Sequence, residues 1–504
     1  MNSNCIETVV VVGGGTAGWM AAAALSNDLG RKYSILVVES DMIATVGVGE
    51  ATIPLLKHFH QVLGIDEDDF LRATNGTFKL GIEFVDWAEI GKCYIHGFGT
   101  IGRPFANCSF HQFWLKESQR RVMPPLGQFS INTVAPMVSK YVRGIPELGD
   151  SPLADINNAF HFDAGLYAKF LRKYAEARGV VRTEGKIVQV QQHAETGHLQ
   201  TLVLENGLTV SGDFFIDCTG MRALLIQDTL QSGFEDWSHW LPCDRAIAVP
   251  CASVEPLLPI TRATARAAGW QWRIPLQNRI GNGHVYSSRF MDSEEATQIL
   301  LRNLDGEPLA EPKHISFLPG RRTTPWVKNC VAVGLAAGFF EPIESTNIHL
   351  IQTSIQRILS LFPNRGFHQA DIDEYNRQTS TEYEQIRDFI ILHYKATQRE
   401  DTAFWRHCRA MQIPSTLQHK MDLFKSNGRF FRENNELFTE TSWVQVMLGQ
   451  GIRPDNYDPL GDLVEASEAQ DFVNNVGAVI QKCVAVMPSH AEFIAQHCAA
   501  QPLV

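Results

Sequence analysis

The 504 residues are 44% hydrophobic and 20% charged, an ordinary globular balance in a chain too long for one simple core, so two or three subdomains are expected. A formal charge of −11 argues against a nucleic-acid surface and against docking on anionic membranes. Ten cysteines lie singly between Cys5 and Cys498, with no CxxC pair and no His-rich ligand cluster. That pattern fits reduced thiols, not a disulfide framework or a metal site, and points to a cytoplasmic protein.

The first element is TVVVVGGGTAGWMAAAALSNDLGRKYSILVVES, residues 8 to 40. Val9–Val12 is a β-branched run suited to a strand buried on both faces, and Ala17–Leu25 reads as a tightly packed helix. Gly13, Gly15 and Gly18 fall between them in GxGxxG spacing. These positions serve a tight turn, close approach of a pyrophosphate and helix-on-strand packing, and Thr16, Ala17 and Gly18 open a helix whose N-terminus attracts phosphate. A second strand, Ser34–Val38, delivers Glu39 where an acid would accept hydrogen bonds from an adenosine ribose. The uncharged run Val9–Leu25 has no Lys or Arg before it, so it is not read as a signal peptide. No other apolar run approaches a membrane span.

Further along, TVGVGEATIP (45–54) is a second Gly-rich loop, followed by a helix-like segment from Leu55. In TFKLGIEFVDW (77–87), Phe78, Leu80, Ile82 and Phe84 recur near period two and leave Lys79 on the opposite face, where a lysine is ordinarily solvated. His96 and Phe98 follow in CYIHGFG, two apart. Asp163–Gly179 reads as an amphipathic helix with Leu166, Phe170, Leu171 and Tyr174 on one face. Strands are expected between Ile187 and Ile216, with Asn206-Gly207 as a hairpin turn, and the last runs into Asp217–Gly220. A second strand ending in a Gly turn so far from the first is typical of flavin folds assembled from distant pieces. Trp270 and Trp272 share one face of the strand GWQWRIPL. A buried strand, Val331–Val333, then enters a Gly-rich turn, and a helix follows. Ser345 or Thr346 is its N-cap, and Ile348, Ile351, Ile355, Ile358 and Leu359 form its buried side. Glu344 stands beside this second anion-friendly helix N-terminus. From about Asp388 the pattern is helical, ending in a capping box from Ser489 to Glu492.

Taken together, these motifs resemble the flavin-dependent tryptophan halogenase family over most of the chain. GWQWRIP matches its WxWxIP signature, HGFG its HxFG element and EST (344–346) its catalytic turn. The resemblance implies an α/β, FAD-binding flavoprotein-monooxygenase-like fold. A core over 1–390 would have its β-rich part near 187–290, and 391–504 would form a mainly helical cap on the substrate side. It implies FAD, used as FADH2, in contact with Gly13, Gly15, Thr16, Ala17, Gly18, Glu39, Val48, Ala51, Val188, Leu335 and Ile348. It implies Lys79 and Glu344 as catalytic residues, and bromide or chloride held by Thr346 and Asn347. His96, Phe98, Trp272, Ser345 and Trp443 would line the substrate site.

In that chemistry reduced FAD and O2 oxidise a halide to hypohalous acid, Lys79 activates it, and an aromatic ring is halogenated. Three departures stand out: Leu335 where many FAD proteins carry Asp, Asn347 where better-known members have Gly, and phenylalanines in RFFRENNELFTETSW where the family grips an amino-acid moiety. The last favours a smaller indole, or another electron-rich aromatic, over free tryptophan. A separate NADH-dependent flavin reductase is expected, because no second nucleotide module is visible. The sequence leaves a homodimer open. A two-component aromatic monooxygenase and a non-catalytic flavin-binding redox sensor are the alternative readings.

Overall fold

The structure is a computed structural model that describes residues 4–42 and 49–500. The chain forms two compact units, each built from three separated stretches. Unit one comprises residues 1–74, 162–241 and 316–384; unit two comprises 75–161, 242–315 and 385–504. The strands Ile187–Gln192, Leu199–Leu204 and Phe214–Asp217 therefore belong to unit one, while the strands between Arg245 and Tyr286 share unit two with the C-terminal helices.

Unit one is organised by a six-stranded sheet in the order Trp326–Val327, Cys330–Ala332, Phe214–Asp217, Thr8–Val12, Ser34–Glu39, Val181–Glu184. The five strands from Cys330–Ala332 onward run parallel, with Val10 flanked by Leu36 and Phe215. Val9–Val12 is almost fully buried, as expected of a central parallel strand covered on both faces. The C-terminal ends of the parallel strands are stitched to one another. Gly13 N–H donates to Val38 O, Cys218 N–H to Val12 O and Val333 N–H to Asp217 O, all at 2.8–2.9 Å. That is the rim at which open α/β sheets bind ligands. Two Ala-rich helices, Thr16–Asp28 and Ala164–Glu176, pack together. The fully buried face of the second is Ala164, Tyr167, Ala168, Leu171 and Ala175, whereas Leu166, Phe170 and Tyr174 are only partly buried. Alanines share the buried face with Tyr167 and Leu171, so it is rotated from the one that the larger apolar residues alone suggest.

Unit two contains a seven-stranded sheet in the order Lys313–Ser316, Arg245–Cys251, Ile280–Tyr286, Gly269–Pro275, Thr261–Arg266, Gly81–Val85, Cys93–Gly97. Gly269–Pro275 is buried along its whole length. The expected strand over 77–87 breaks at Leu80: Thr77–Lys79 pairs antiparallel with Ala159–Asp163, and Gly81–Val85 joins the large sheet. Helices from Ala403 onward cover this unit, and Trp405 bonds Arg266 O through its indole N–H at 2.8 Å. The final helix, His490–His497, carries the expected Ser489–Glu492 capping box. No helix among the described residues is long and apolar enough to cross a membrane.

Candidate functional site

The nucleotide end of the site is built in unit one. Gly13 has φ +110°, open to glycine and strained for other residues, and a Cβ there would run into Cys218 O. A Cβ on Gly18 would collide with Gly13 O, so helix and strand meet at backbone contact. Gly15 is the N-cap of helix Thr16–Asp28, with no side-chain cap and no acid in the first turn. The first-turn N–H groups of this helix, beginning with Thr16, Ala17 and Gly18, are thus left without a side-chain cap or a competing acid, as a pyrophosphate at a helix N-terminus requires. Glu39 ends the next strand beside Gly14 and is ion-paired to Arg182, with Arg172 at 3.7 Å. Gly334 is pressed against Ala17 and Ile351, which brings the turn with Leu335 up to the start of the first helix. Leu335 lines a cavity of about 300 Å³ with Gln227, Phe234, Arg322 and Phe339. Ala51 and Ile348 are buried. Val188 is 60% exposed, three residues after Gly185, whose N–H bonds Glu39 O. Val48 lies outside the described residues. These residues fit FAD: the glycines leave backbone space that a Cβ would fill, and an uncapped helix start faces it.

The second helix N-terminus is also in unit one. Glu344, Ser345 and Thr346 are all buried, and Thr346 is the N-cap of helix Asn347–Ser360. Ser345 has φ +59°, a conformation that costs a non-glycine residue about 1 kcal/mol or more and turns the chain sharply into the helix. Thr346 Oγ1 is buried and has no hydrogen-bond partner among the described residues. Ile348, Ile351, Ile355 and Ile358 face inward as the spacing predicts, while Leu359 is partly buried.

A polar clamp holds this helix from behind. His349 Nε2 lies 3.0 Å from Glu382 Oε1, Thr353 Oγ1 donates to Glu382 Oε2 at 2.9 Å, and Arg357 Nη2 donates to the same oxygen at 2.6 Å. Burial pushes Glu382 up, yet His349 and Arg357 together hold its carboxyl at about 2. Residues 349, 353 and 357 form a polar row at i, i+4, i+8 that is visible in the sequence, but their shared partner Glu382 is not. The role of Asp217 is likewise not evident from the sequence: its buried carboxylate accepts from Thr219 N–H and hydroxyl and from the N–H groups of Leu225 and Ile226.

Unit two contains the other candidates. Lys79 is fully buried, not solvated as its strand position suggested, and its Nζ sits 5.1 Å from the centroid of the Phe98 ring. His96 is buried, edge-on to Phe98 at 6.3 Å and to Phe389 at 5.7 Å. Trp272 packs over Gly283, where a Cβ would strike its ring, and its indole N–H has no partner among the described residues. Trp443 is fully buried: Phe430 stacks on it at 5.1 Å, Phe389 meets it edge-on at 4.8 Å and Lys420 Nζ lies 4.7 Å from its centroid. Its neighbours are thus the chain's own groups, including the buried Lys420–Glu436 pair at 2.5 Å. A cavity of about 200 Å³ opens between the loop after Phe98 and the first turn of helix Glu440–Gly449, lined by Thr100, Ser109, Phe110, His111 and Glu440 among others. Among the described residues Glu440 is its one acid, accepting from Ser109 Oγ at 3.1 Å, and no lysine or arginine lines it.

A family model described as tryptophan halogenase matches residues 8–466. Tryptophan 7-halogenase RebH from Lentzea aerocolonigenes is 32% identical over 98% of this chain and 99% of its own. Among solved structures, Xcc4156, a flavin-dependent halogenase from Xanthomonas campestris, is similar with a TM-score of 0.96 and 50% identity, covering 99% of this chain and 100% of its own. BrvH, a flavin-dependent halogenase from Brevundimonas sp. BAL3, is similar with a TM-score of 0.94 and 45% identity, covering 97% and 99%.

Proposed function

The chain belongs to the tryptophan halogenase family and is a flavin-dependent halogenase, and from that premise we propose that it halogenates a small indole through Lys79. The observation that carries this reading is the complete burial of Lys79 against the Phe98 ring. Taking an amine out of water is costly, and it is retained where its chemistry is used.

Bound reduced FAD would supply, with O2, the two-electron oxidation of halide to hypohalous acid. Gly13, Gly15, Thr16, Ala17, Gly18 and Glu39 would hold its pyrophosphate and ribose, with Ala51, Val188, Leu335 and Ile348 as further contacts. The first-turn N–H groups after Thr346 and Asn347, together with the Thr346 hydroxyl, would hold the halide. The amine of Lys79 attacks the halogen of hypohalous acid, forming an N–halogen bond and releasing water. The ring carbon would then take the halogen while the nitrogen keeps the electron pair of the broken N–halogen bond, Glu344 would accept the ring proton, and an equal proton returned to the nitrogen would restore the amine. Trp272 and Ser345 would border the ring, which Phe98, His96 and Trp443 would orient. Bromide and chloride are both admissible at a site made from N–H and hydroxyl donors. The residues from 391 onward would serve as the substrate-side cap, and a separate reductase would provide FADH2.

The cavity between the loop after Phe98 and helix Glu440–Gly449 supports indole over free tryptophan. A carboxylate-bearing tail entering it would meet Glu440 and no cation. The test is mass spectrometry of a reaction with the protein, FAD, flavin reductase, NADH, O2 and indole, run with bromide, with chloride and with neither, catalase being present. A halogen isotope pattern that needs enzyme, halide and Lys79 is the expected result. Halogenation at the parent rate by Lys79→Ala, or hydroxylation without halide, would refute the reading.

A further inference from the structure

We propose that His490, at the start of the C-terminal helix, is a positioning residue for Lys79, gripping the backbone of the residue before it. This rests on the reading of Lys79 given above.

The strand Thr77–Lys79 is three residues long, and its ladder to Ala159–Asp163 pairs Thr77 with His161, Phe78 with Phe160 and Lys79 with Ala159. So short a ladder does not define a side-chain position by itself. Two imidazoles complete the job. Phe78 N–H donates to His490 Nε2 at 3.2 Å, which requires a lone pair there; His490 Nδ1 therefore carries the hydrogen and donates to Leu257 O at 3.0 Å. One residue earlier, Thr77 Oγ1 donates to Pro275 O at 2.7 Å and so accepts from His161 Nδ1 at 3.0 Å. That leaves His161 Nε2 to accept from the Thr261 hydroxyl at 2.8 Å. In each ring the partners dictate one neutral tautomer.

Burial agrees with this assignment. It pushes His490 down to about 4, and pushes His161 well below its ordinary value, with the positive charges of Lys79 and Arg273 adding to the effect. The Phe78 ring is stacked on Tyr141 at 4.1 Å and meets Phe493, on the same helix as His490, edge-on at 5.5 Å. Helix His490–His497 thus grips both the amide and the ring of the residue before Lys79, across 412 positions of sequence. Without the acceptor at Nε2, the Phe78 amide is left buried and unsatisfied, and the strand shifts to find another partner.

The experiment compares the parent, His490→Leu, His490→Gln and Lys79→Ala, all as full-length holoenzyme. It reads FADH2 oxidised, halogenated indole formed, and hypohalous acid escaping to a soluble β-diketone trap. FAD affinity and melting temperature are measured alongside. His490→Leu is expected to keep FAD affinity and FADH2 oxidation, while halogenated indole per FADH2 falls at least about tenfold and the trap signal rises, the scale that sub-ångström misplacement costs. His490→Gln, whose amide oxygen can replace Nε2 as acceptor, should recover most of the yield. The proposal is overturned if His490→Leu keeps the parental yield, if it loses FADH2 oxidation and product together, or if Gln is as impaired as Leu. Parental yield from Lys79→Ala would overturn the reading of the lysine itself.

Discussion

Replacing Glu382 by Gln tests how the helix behind the EST turn is held. Its carboxyl sits at about 2 against an ordinary 4.5, because the hydrogen bond and charge of His349 and the guanidinium of Arg357 outweigh the penalty of burial. A folded value below the unfolded one contributes stability that is complete above 4.5 and is lost as pH falls through 2. The difference of about 2.5 pKa units is worth about 3 kcal/mol at pH 7, or about 300-fold in an opening equilibrium, and about 30-fold at pH 3.5. With the Glu382 side chain only 14% exposed, solvent screens little of this. The assay is hydrogen exchange of the peptide spanning Asn347–Ser360, which reports local opening without requiring the whole chain to unfold in one step. Glu382→Gln should lower protection there by two orders of magnitude or more at pH 7 and by about one at pH 3.5. A loss under tenfold at pH 7, or an equal loss at both pH values, would show that the carboxylate charge does not hold the helix.

Three further outcomes are expected. Gly18→Ala forces a Cβ into Gly13 O, so FAD affinity measured by flavin fluorescence should fall by at least about 100-fold, while the more distant Gly179→Ala leaves it near parental. Lys420→Met leaves Glu436 buried without its cation and removes the charge over Trp443; a loss of about 3–5 kcal/mol in denaturant unfolding is expected, and the double change Lys420→Met, Glu436→Leu should regain much of it. Glu440→Gln should raise kcat/KM for indole-3-propionate relative to indole by about threefold or more, as removal of one facing charge at an accessible cavity predicts. An unchanged ratio would remove the cavity from the account of substrate choice.

Local signals carried the nucleotide end of the site. Thr8–Val12, Thr16–Asp28 and Ser34–Glu39 form where β-branched runs, glycines and alanines prescribe, since each depends on neighbours within a few residues. The same is true of the helix after Thr346 and of the Ser489–Glu492 capping box. What stayed hidden depends on partners far away in sequence. Lys79 has the strand address of a solvated charge, and its burial is decided by chain that no period-two pattern specifies. The Glu382 clamp and the His490 grip are one-atom matches across 33 and 412 positions. A polar residue in an apolar helix is visible in the sequence, but its partner is not. On the helix over 164–176 Leu171 is buried as its spacing indicates, but the rest of the buried face is Ala164, Tyr167, Ala168 and Ala175, because small side chains there carry no size signal.

The interleaving of the two units bears on how the molecule comes into being. The neighbour of the central strand Thr8–Val12, Phe214–Asp217, is made two hundred residues after it, and the next, Cys330–Ala332, over a hundred after that. Unit one is not complete until Glu384 has been made, and by then two of the three stretches of unit two are already waiting. Unit one is thus completed only after most of unit two has been made, and no contiguous fragment contains either unit without part of the other. The apolar edges of the first β-strands must therefore be shielded for most of the time of synthesis. Expression yield should depend more on chaperone supply and elongation rate than on the stability of the finished fold.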